Sequence, residues 1–514
     1  MNYKSKLLGV LAIVTLLGSC KTTELADTKQ HIPTLPEEYR HAQQTLGDST
    51  ALSIGSVPWK NFFKNPTLVK LIDSAITYNV DMQLAVKNIE ASQLLLKQAK
   101  AGYLPEISAR AGVSSTNPSN YSMNGLNLGQ ILGSNHIEDY SASVGLAWEV
   151  DLWGKVKNQN RGALAEYLQT EEAKKVVQTQ VVSQVAKGYY QLLLLYELME
   201  IARLNLDLSS NTLNVVQQQY EVGEANLLAL EQVHAQKLAA ESLIPEFQQQ
   251  IYLQENALQV LSGHLPQEIK IAESLDDISL PENLLGGVPA ELLRHRPDVK
   301  QAELAVLANM AYTQSAKAQM YPSLIISAEA GVNALKTSNW FNLPGALFGS
   351  VAGSLTQPIF QRRALKTQYE LRQIEGAKSV TLFQQSFIVA VGEVSDALVS
   401  IQKLKERYQI ADKRTQRLRQ ASKHADILFE TGSANYLEVI SAQSNVLQTE
   451  LQLAQIKKDE LTAIVDLYRS LGGGWGSGVS EETDDKKANI EQGAQDSSIL
   501  VKQQASPKIA EAKH

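Results

Sequence analysis

The chain has 514 residues, of which 44% are hydrophobic, 20% charged and only 6% aromatic; that length admits several ordinary domains or one unusually long architecture. Lys and Arg number 47 against 54 Asp and Glu, a net charge of −7, so no basic surplus points to nucleic acid. A single cysteine excludes a disulfide framework and a thiolate metal cluster.

Lys4 and Lys6 precede the apolar run Leu7–Leu17. This has the form of a signal peptide and is too short to cross a bilayer as a helix. The run ends in Leu17-Gly18-Ser19-Cys20, and Cys20 is the only cysteine. Small residues before a cysteine at this place resemble the bacterial lipobox. There the thiol takes a diacylglycerol and the new amino terminus takes a third acyl chain. The resemblance implies a signal peptide at 1–19 and a covalent lipid anchor on Cys20. Several acyl chains hold far more firmly than one, since each buried methylene adds roughly 0.8 kcal/mol. The alternative is an ordinary signal peptide followed by an incidental cysteine. Lys21, where Asp would be the retention signal, points in the lipoprotein sorting pattern to the outer membrane. Cleavage removes Lys4 and Lys6 and takes the net charge from −7 to −9.

Beyond this leader the sequence is written twice. Ala99-Lys100-Ala101, Pro105, Ile107-Ser108-Ala109 and Ala111-Gly112-Val113 recur as Ala316-Lys317-Ala318, Pro322, Ile326-Ser327-Ala328 and Ala330-Gly331-Val332. Tyr220-Glu221-Val222-Gly223-Glu224-Ala225-Asn226 recurs as Phe429-Glu430-Thr431-Gly432-Ser433-Ala434-Asn435. The matches keep their order and the offset drifts only between 209 and 219, which excludes chance likeness of helical segments.

Each half opens with a helix-like stretch, Pro66–Gly102 and then Pro297–Met320. Two alternating segments follow. In Ser141–Asp151 the apolar set is Ala142, Val144, Leu146, Trp148 and Val150; in Ser323–Asn333 it is Leu324, Ile326, Ala328, Ala330 and Val332, with Ile325 an exception on the polar face. Glu106–Ser114 repeats the pattern with Arg110 on its polar face, and Leu347–Gln357, rich in Gly and Ser, is the weakest of the four. Segments of about 9–11 residues with alternating faces match transmembrane β-strands; the alternative is four half-buried strands of a soluble sheet. On the membrane reading Glu106, Arg110, Glu149, Asp151 and Glu329 face a lumen, because a charge facing lipid costs roughly 2–4 kcal/mol near the midplane. The two intervening loops, about 25 and 13 residues, are polar and uneven, as extracellular loops are.

After each strand pair comes a proline-free helical stretch, about Gly154–Tyr220 and Gln361–Phe429. At ~1.5 Å per residue each runs about 100 Å, too long for a globular domain and suited to coiled-coil-like packing. Turns at Gly223 and Gly432, where glycine suits a positive φ, lead into return helices Leu227–Gly263 and Tyr436–Leu471. Pro245, inside the first of these, is expected to kink it. Nothing resembles a catalytic triad, a phosphate loop or a pair of histidines at ligand spacing, so neither an enzyme nor a metal cofactor is expected.

Pro58-Trp59-Lys60-Asn61-Phe62-Phe63, Trp148-Glu149-Val150-Asp151-Leu152-Trp153-Gly154-Lys155 and Leu292-Leu293-Arg294-His295-Arg296-Pro297-Asp298 with Ala302-Glu303 carry a resemblance to a known family. Over about residues 55–475 the chain resembles the TolC-like outer-membrane factors, in particular the lipid-anchored NodT subgroup of tripartite efflux pumps. The resemblance implies an α+β membrane protein: a trimer with a twelve-stranded β-barrel, four strands from each chain, continued by a periplasmic α-helical barrel with an equatorial belt. It also implies two repeats, 66–263 and 297–471, joined by an equatorial linker at 264–296. Residues 20–65 would form the anchored segment and part of the belt, and 472–514 its C-terminal part and a polar tail.

The implied role is a passive exit channel, of the resistance-nodulation-division type, working with a periplasmic adaptor and an inner-membrane transporter. Physical reasoning supports part of this. Four strands cannot close a barrel, and an open edge is not tolerated in lipid; eight strands give a filled interior, whereas twelve leave a lumen. In the family, adaptors dock at the far tips, here the Gly223 and Gly432 turns, and side chains just inside the second return helix narrow the tunnel. The matching residues are Leu437, Glu438 and Ser441. Family members often carry Asp where this chain has Ser441, and Glu438, three residues earlier on nearly the same face, could replace that charge. Two rival functions remain: a channel for type I protein secretion, and a lipid-anchored periplasmic scaffold without a pore. The conduit does not reveal its cargo, although the lack of Met, Cys or His clusters weakly disfavours dedicated copper or silver export.

Overall fold

The computed structural model describes residues 54–119, 121–123, 136–278 and 295–476. Cys20 and its leader, residues 20–53, the linker 279–294, most of the first strand loop and the tail after 476 lie outside the described residues. After a single helical turn at Trp59–Phe62, the elements are α1 (Pro66–Tyr78), α2 (Val80–Ala101), β1 (Glu106–Thr116), β2 (Ile137–Val150), α3 (Lys155–Glu221) and α4 (Leu227–Leu261). The second half adds α5 (Pro297–Ala318), β3 (Ser323–Ala334), β4 (Leu347–Thr356), α6 (Ala364–Glu430) and α7 (Tyr436–Ser470). The duplication is metrically close: α2 and α5 have 22 residues each, α3 and α6 have 67, and α4 and α7 have 35.

The expected helix over 66–102 is two helices, because Asn79 leaves the helical region (φ −60°, ψ 136°) and caps the second. Its side-chain oxygen accepts from the N–H groups of Asp81 and Met82, and its amide donates to the Leu261 carbonyl. Pro245 sits inside α4, which continues beyond it to Leu261. Both tip glycines take the left-handed conformation, φ +84° at Gly223 and +72° at Gly432.

The four strands form one antiparallel sheet in the order β1-β2-β3-β4. Each strand continues a helix, so the helices keep the strand order: near the sheet α2, α3, α5 and α6 lie side by side, and farther out α4, α3, α7 and α6 do. Midway along α3 and at the end of α7 a core forms around Trp59, Phe63, Leu68, Val185, Tyr189, Leu275, Val465 and Tyr468. Phe62 stacks on Tyr468 at 4.0 Å, and the Tyr468 hydroxyl donates to the Val57 carbonyl at 2.7 Å. The start of the described chain, the segment around Leu275 and the end of α7 therefore meet at one level.

At that level lies a chain of charges. The Arg296 guanidinium, only 5% exposed, pairs with Asp298 (2.5 Å) and Glu393 (2.7 Å). It also donates to the Ser470 carbonyl at 3.1 Å. Arg469 takes the other oxygen of Glu393 at 3.0 Å, and Asp466 pairs with Lys187 of α3 at 2.5 Å. Four helices from both repeats are thereby tied together. Burial pushes the Asp298 and Glu393 carboxyls up, but the guanidinium of Arg296, joined at Glu393 by that of Arg469, overrides it and holds both below their ordinary 3.8 and 4.5.

Their contribution to stability is complete above those ordinary values and is lost as pH falls through the lower folded ones. Arg296→Leu strands the Asp298 carboxylate and leaves Glu393 with Arg469 alone, and should cost about 2 kcal/mol. The expected result is a lower thermal unfolding midpoint near neutral pH, with the difference from the parent shrinking below about pH 4. A difference that stays constant with pH would mean that packing, not charge, carries the effect.

Candidate functional site

The sheet is bare on both sides: among the described residues no helix is layered on either face, and every residue of β1 and β4 is exposed. A strand sheet in water buries one face. Here the register gathers the apolar residues on one uncovered side, since Ala109 faces Val144, Val144 faces Ala330, and Ala328 faces both Leu146 and Val351. β4, weak in the sequence, joins that side with Leu347, Val351 and Leu355.

The opposite side is polar and lined with small residues. Arg110 lies opposite Ser143, Glu106 opposite Ala147, Glu329 opposite Gly145 and Glu149 opposite Ile325. Ser143 donates to Glu329 at 2.6 Å, Asn333 to Asp139 at 2.7 Å, and Lys155 pairs with Glu149 at 2.8 Å. Asp139 shares this face and was not picked out from the sequence, because it lies just before the segment that alternates most clearly.

Asp151 stands one residue beyond β2, and its carboxylate accepts from the N–H groups of Val156 (3.1 Å) and Lys157 (2.9 Å). It caps the start of α3, where a negative charge also meets the helix dipole. Gly154, next to α3, takes φ +73°. In the second half Arg363 (φ +66°) holds that position and Arg362 before it also has a positive φ (+49°); both lack glycine's freedom and store about 1 kcal/mol each.

At the far tips Asn226 and Asn435 cap the return helices; the Asn435 side chain accepts from Leu437 and Glu438 N–H. Leu437, Glu438 and Ser441 are all exposed on the first turns of α7, while Val439 between them is buried. Behind this face the buried Gln443 donates to Thr212 of α3 (3.1 Å) and to Asp426 of α6 (3.4 Å). Burial pushes the Asp426 carboxyl up, against the lowering effect of that amide. This contact joins residues 231 positions apart, and no local pattern reveals it.

A bare two-faced sheet standing on helices of about 100 Å defines a subunit of a conduit between a membrane and the space beneath it. The outer membrane efflux protein family matches residues 71–264 and 288–473, and the chain belongs to that family. It is an outer-membrane channel component of an efflux system. The chain is similar to the probable outer membrane lipoprotein SilC of Salmonella typhimurium, 26% identical over 480 residues, covering 92% of this chain and 99% of that one. It is also similar to the cation efflux system protein CusC of Escherichia coli, 26% identical over 446 residues, covering 86% and 93%. In fold it matches the MtrE outer membrane channel of Neisseria gonorrhoeae, with a TM-score of 0.77 at 22% identity over 87% of this chain and 97% of that one.

The register yields a sharp expectation for the protein in a bilayer. Single cysteines at Val144 or Ile326 should react with lipid-phase probes, and those at Ser143 or Ser327 with water-borne ones. A reversed pattern would turn the sheet inside out.

Proposed function

We propose that three copies of this chain close a twelve-stranded barrel and a helical tunnel, forming the passive exit duct of a tripartite efflux system. The observation that carries this is the uncovered sheet with an apolar face and two unpaired edges. Lipid tolerates strands only in a closed barrel, and three copies leave a lumen where two would not. On this reading Glu106, Arg110, Glu149 and Glu329 line the lumen, and Asp151 lies at its lower rim. The names of the curated relatives, which include cation efflux and solvent efflux proteins, support an adaptor and an inner-membrane pump of the resistance-nodulation-division type as partners. The pump, not the duct, selects the cargo.

The lipobox resemblance, together with the lipoprotein name of one relative, supports a lipid anchor on Cys20 and removal of residues 1–19. Mass spectrometry of the purified protein should find an acylated Cys20 at the amino terminus; an unmodified Cys20 or a retained leader would refute the anchor.

The tips carry the gate and the adaptor-docking turns at Gly223 and Gly432. Leu437 supplies an apolar constriction, and Glu438 a charge beside Ser441. The double variant Leu437→Ala with Glu438→Ala should raise single-channel conductance in planar bilayers and antibiotic leakage in cells, in a trimer that still assembles. Unchanged conductance in a well-folded double variant would place the constriction elsewhere. Absence of any conductance from the parent protein would favour the scaffold instead.

A further inference from the structure

The chain passes between sheet and helices four times, and the four crossings are not equivalent. At the second, the Trp153 ring lies tilted against Tyr321 (5.2 Å between centroids), and its indole N–H donates to the Pro322 carbonyl (2.7 Å). Glu149 there is matched by Lys155, and Gly154 makes the turn. The first crossing is held to β2 by the Trp148 indole, which donates to the Tyr103 carbonyl at 3.0 Å.

The fourth crossing, between β4 and α6, is built in another way. Ile359 is 94% exposed and Phe360 84% exposed, and both follow the strand whose apolar residue Val351 is itself 82% exposed. Then come Arg362 and Arg363, both exposed and both held at positive φ; Arg363 stands where the first repeat has Gly154. Arg363 pairs with Glu370 at 3.0 Å, and Lys366 lies 4.0 Å from the same carboxylate. The Arg362 guanidinium has no hydrogen-bond or ion-pair partner among the described residues. Two large exposed apolar side chains followed by an unpaired guanidinium thus stand just beyond the foot of β4.

We propose that residues 359–363 form a phospholipid site at the barrel's periplasmic rim, with Ile359 and Phe360 among the acyl chains and Arg362 on the headgroup phosphate. The assignment rests on the barrel reading above, which places the apolar side of the sheet in lipid. Three observations favour a lipid over other occupants. The exposed pair follows in the chain the apolar band that the barrel reading places in hydrocarbon. Apolar residues followed by a cation along the chain match the order of acyl chain and phosphate met on leaving a bilayer. The guanidinium fork matches a phosphate in geometry and needs a partner.

The test uses the full-length protein in phosphatidylglycerol nanodiscs. Phe360→Trp and Val351→Trp are made separately and compared with the parent background of 5 tryptophans. With brominated acyl chains, Val351→Trp should be quenched most by bromines near mid-chain, and Phe360→Trp by bromines near the carbonyl end. Quenching at Val351→Trp without quenching at Phe360→Trp would overturn the site, because a second copy or water would then cover the rim. No quenching at Val351→Trp would remove the barrel reading and the site with it. In native mass spectrometry Arg362→Gln should retain phosphatidylglycerol roughly fivefold less well, the effect of about one interfacial cation. Arg362→Lys should retain most of it, and inorganic phosphate should not compete. Unchanged retention in Arg362→Gln, or displacement by inorganic phosphate, would overturn the proposal.

Discussion

An unpaired backbone N–H or C=O in hydrocarbon costs several kcal/mol, and this chain presents two whole strand edges, the outer sides of β1 and β4. Much of the architecture answers that constraint. A sheet with no helix on either face has no interior of its own, and in the proposed trimer its edges find partners in further copies. Because every strand runs on into a helix, the helices inherit the strand order and expose matching edges, α2 and α4 on one side and α6 on the other. In the proposed trimer one rotation that joins β4 to the next β1 also brings α6 to the next α2 and α4, so that barrel and tunnel would close together.

Duplication explains how one chain keeps the two levels aligned. Equal helix lengths in the halves make each chain a pseudo-symmetric pair of staves, but two similar halves need a fixed junction. That junction is the mid-level core and its charge chain. Arg296 begins where α5 begins and reaches Glu393 in α6 and the Ser470 carbonyl at the end of α7, while Asp466 reaches Lys187 in α3. A buried guanidinium is weak evidence for stability as such, yet it accepts few alternative packings. Its partners lie on three different elements, so sliding any one of them leaves a buried charge uncompensated.

Much of this was legible in the sequence because it is periodic. Strand limits came within four residues of those observed, since a period of two shows wherever one side stays apolar, and the proline-free runs gave the long helices. What escaped depends on contacts rather than patterns. Asn79 looks like any helical residue until the Leu261 carbonyl meets its amide. Asp151 continues the strand's alternation on paper, but a free helix start lies within reach and takes its carboxylate. In β4 the glycines at 349 and 353 dilute the apolar side, and only the register with β3 brings Leu347, Val351 and Leu355 back into line. The Gln443 bridge joins three helices and leaves no trace in any one of them.

The polar side of the sheet bears on where selection occurs. Its wall is made largely of Ser, Gly and Ala, and several of its charges are already engaged: Glu329 with Ser143, Asp139 with Asn333, Glu149 with Lys155. A binding site needs converging groups in a concavity, whereas a wall of small residues spread over strands about 4.8 Å apart presents each group singly. Among the described residues no cluster of three or more His, Cys, Asp or Glu could hold a metal ion. On the proposed reading such a wall would pass a solute without gripping it. The first turns of α7 differ: Leu437, Glu438 and Ser441 project from one narrow band, and Asn435 caps fix that band against Gln443 behind it. In the proposed ring of copies each of these residues recurs about the axis, and on that reading the tip is where few side chains would control what enters.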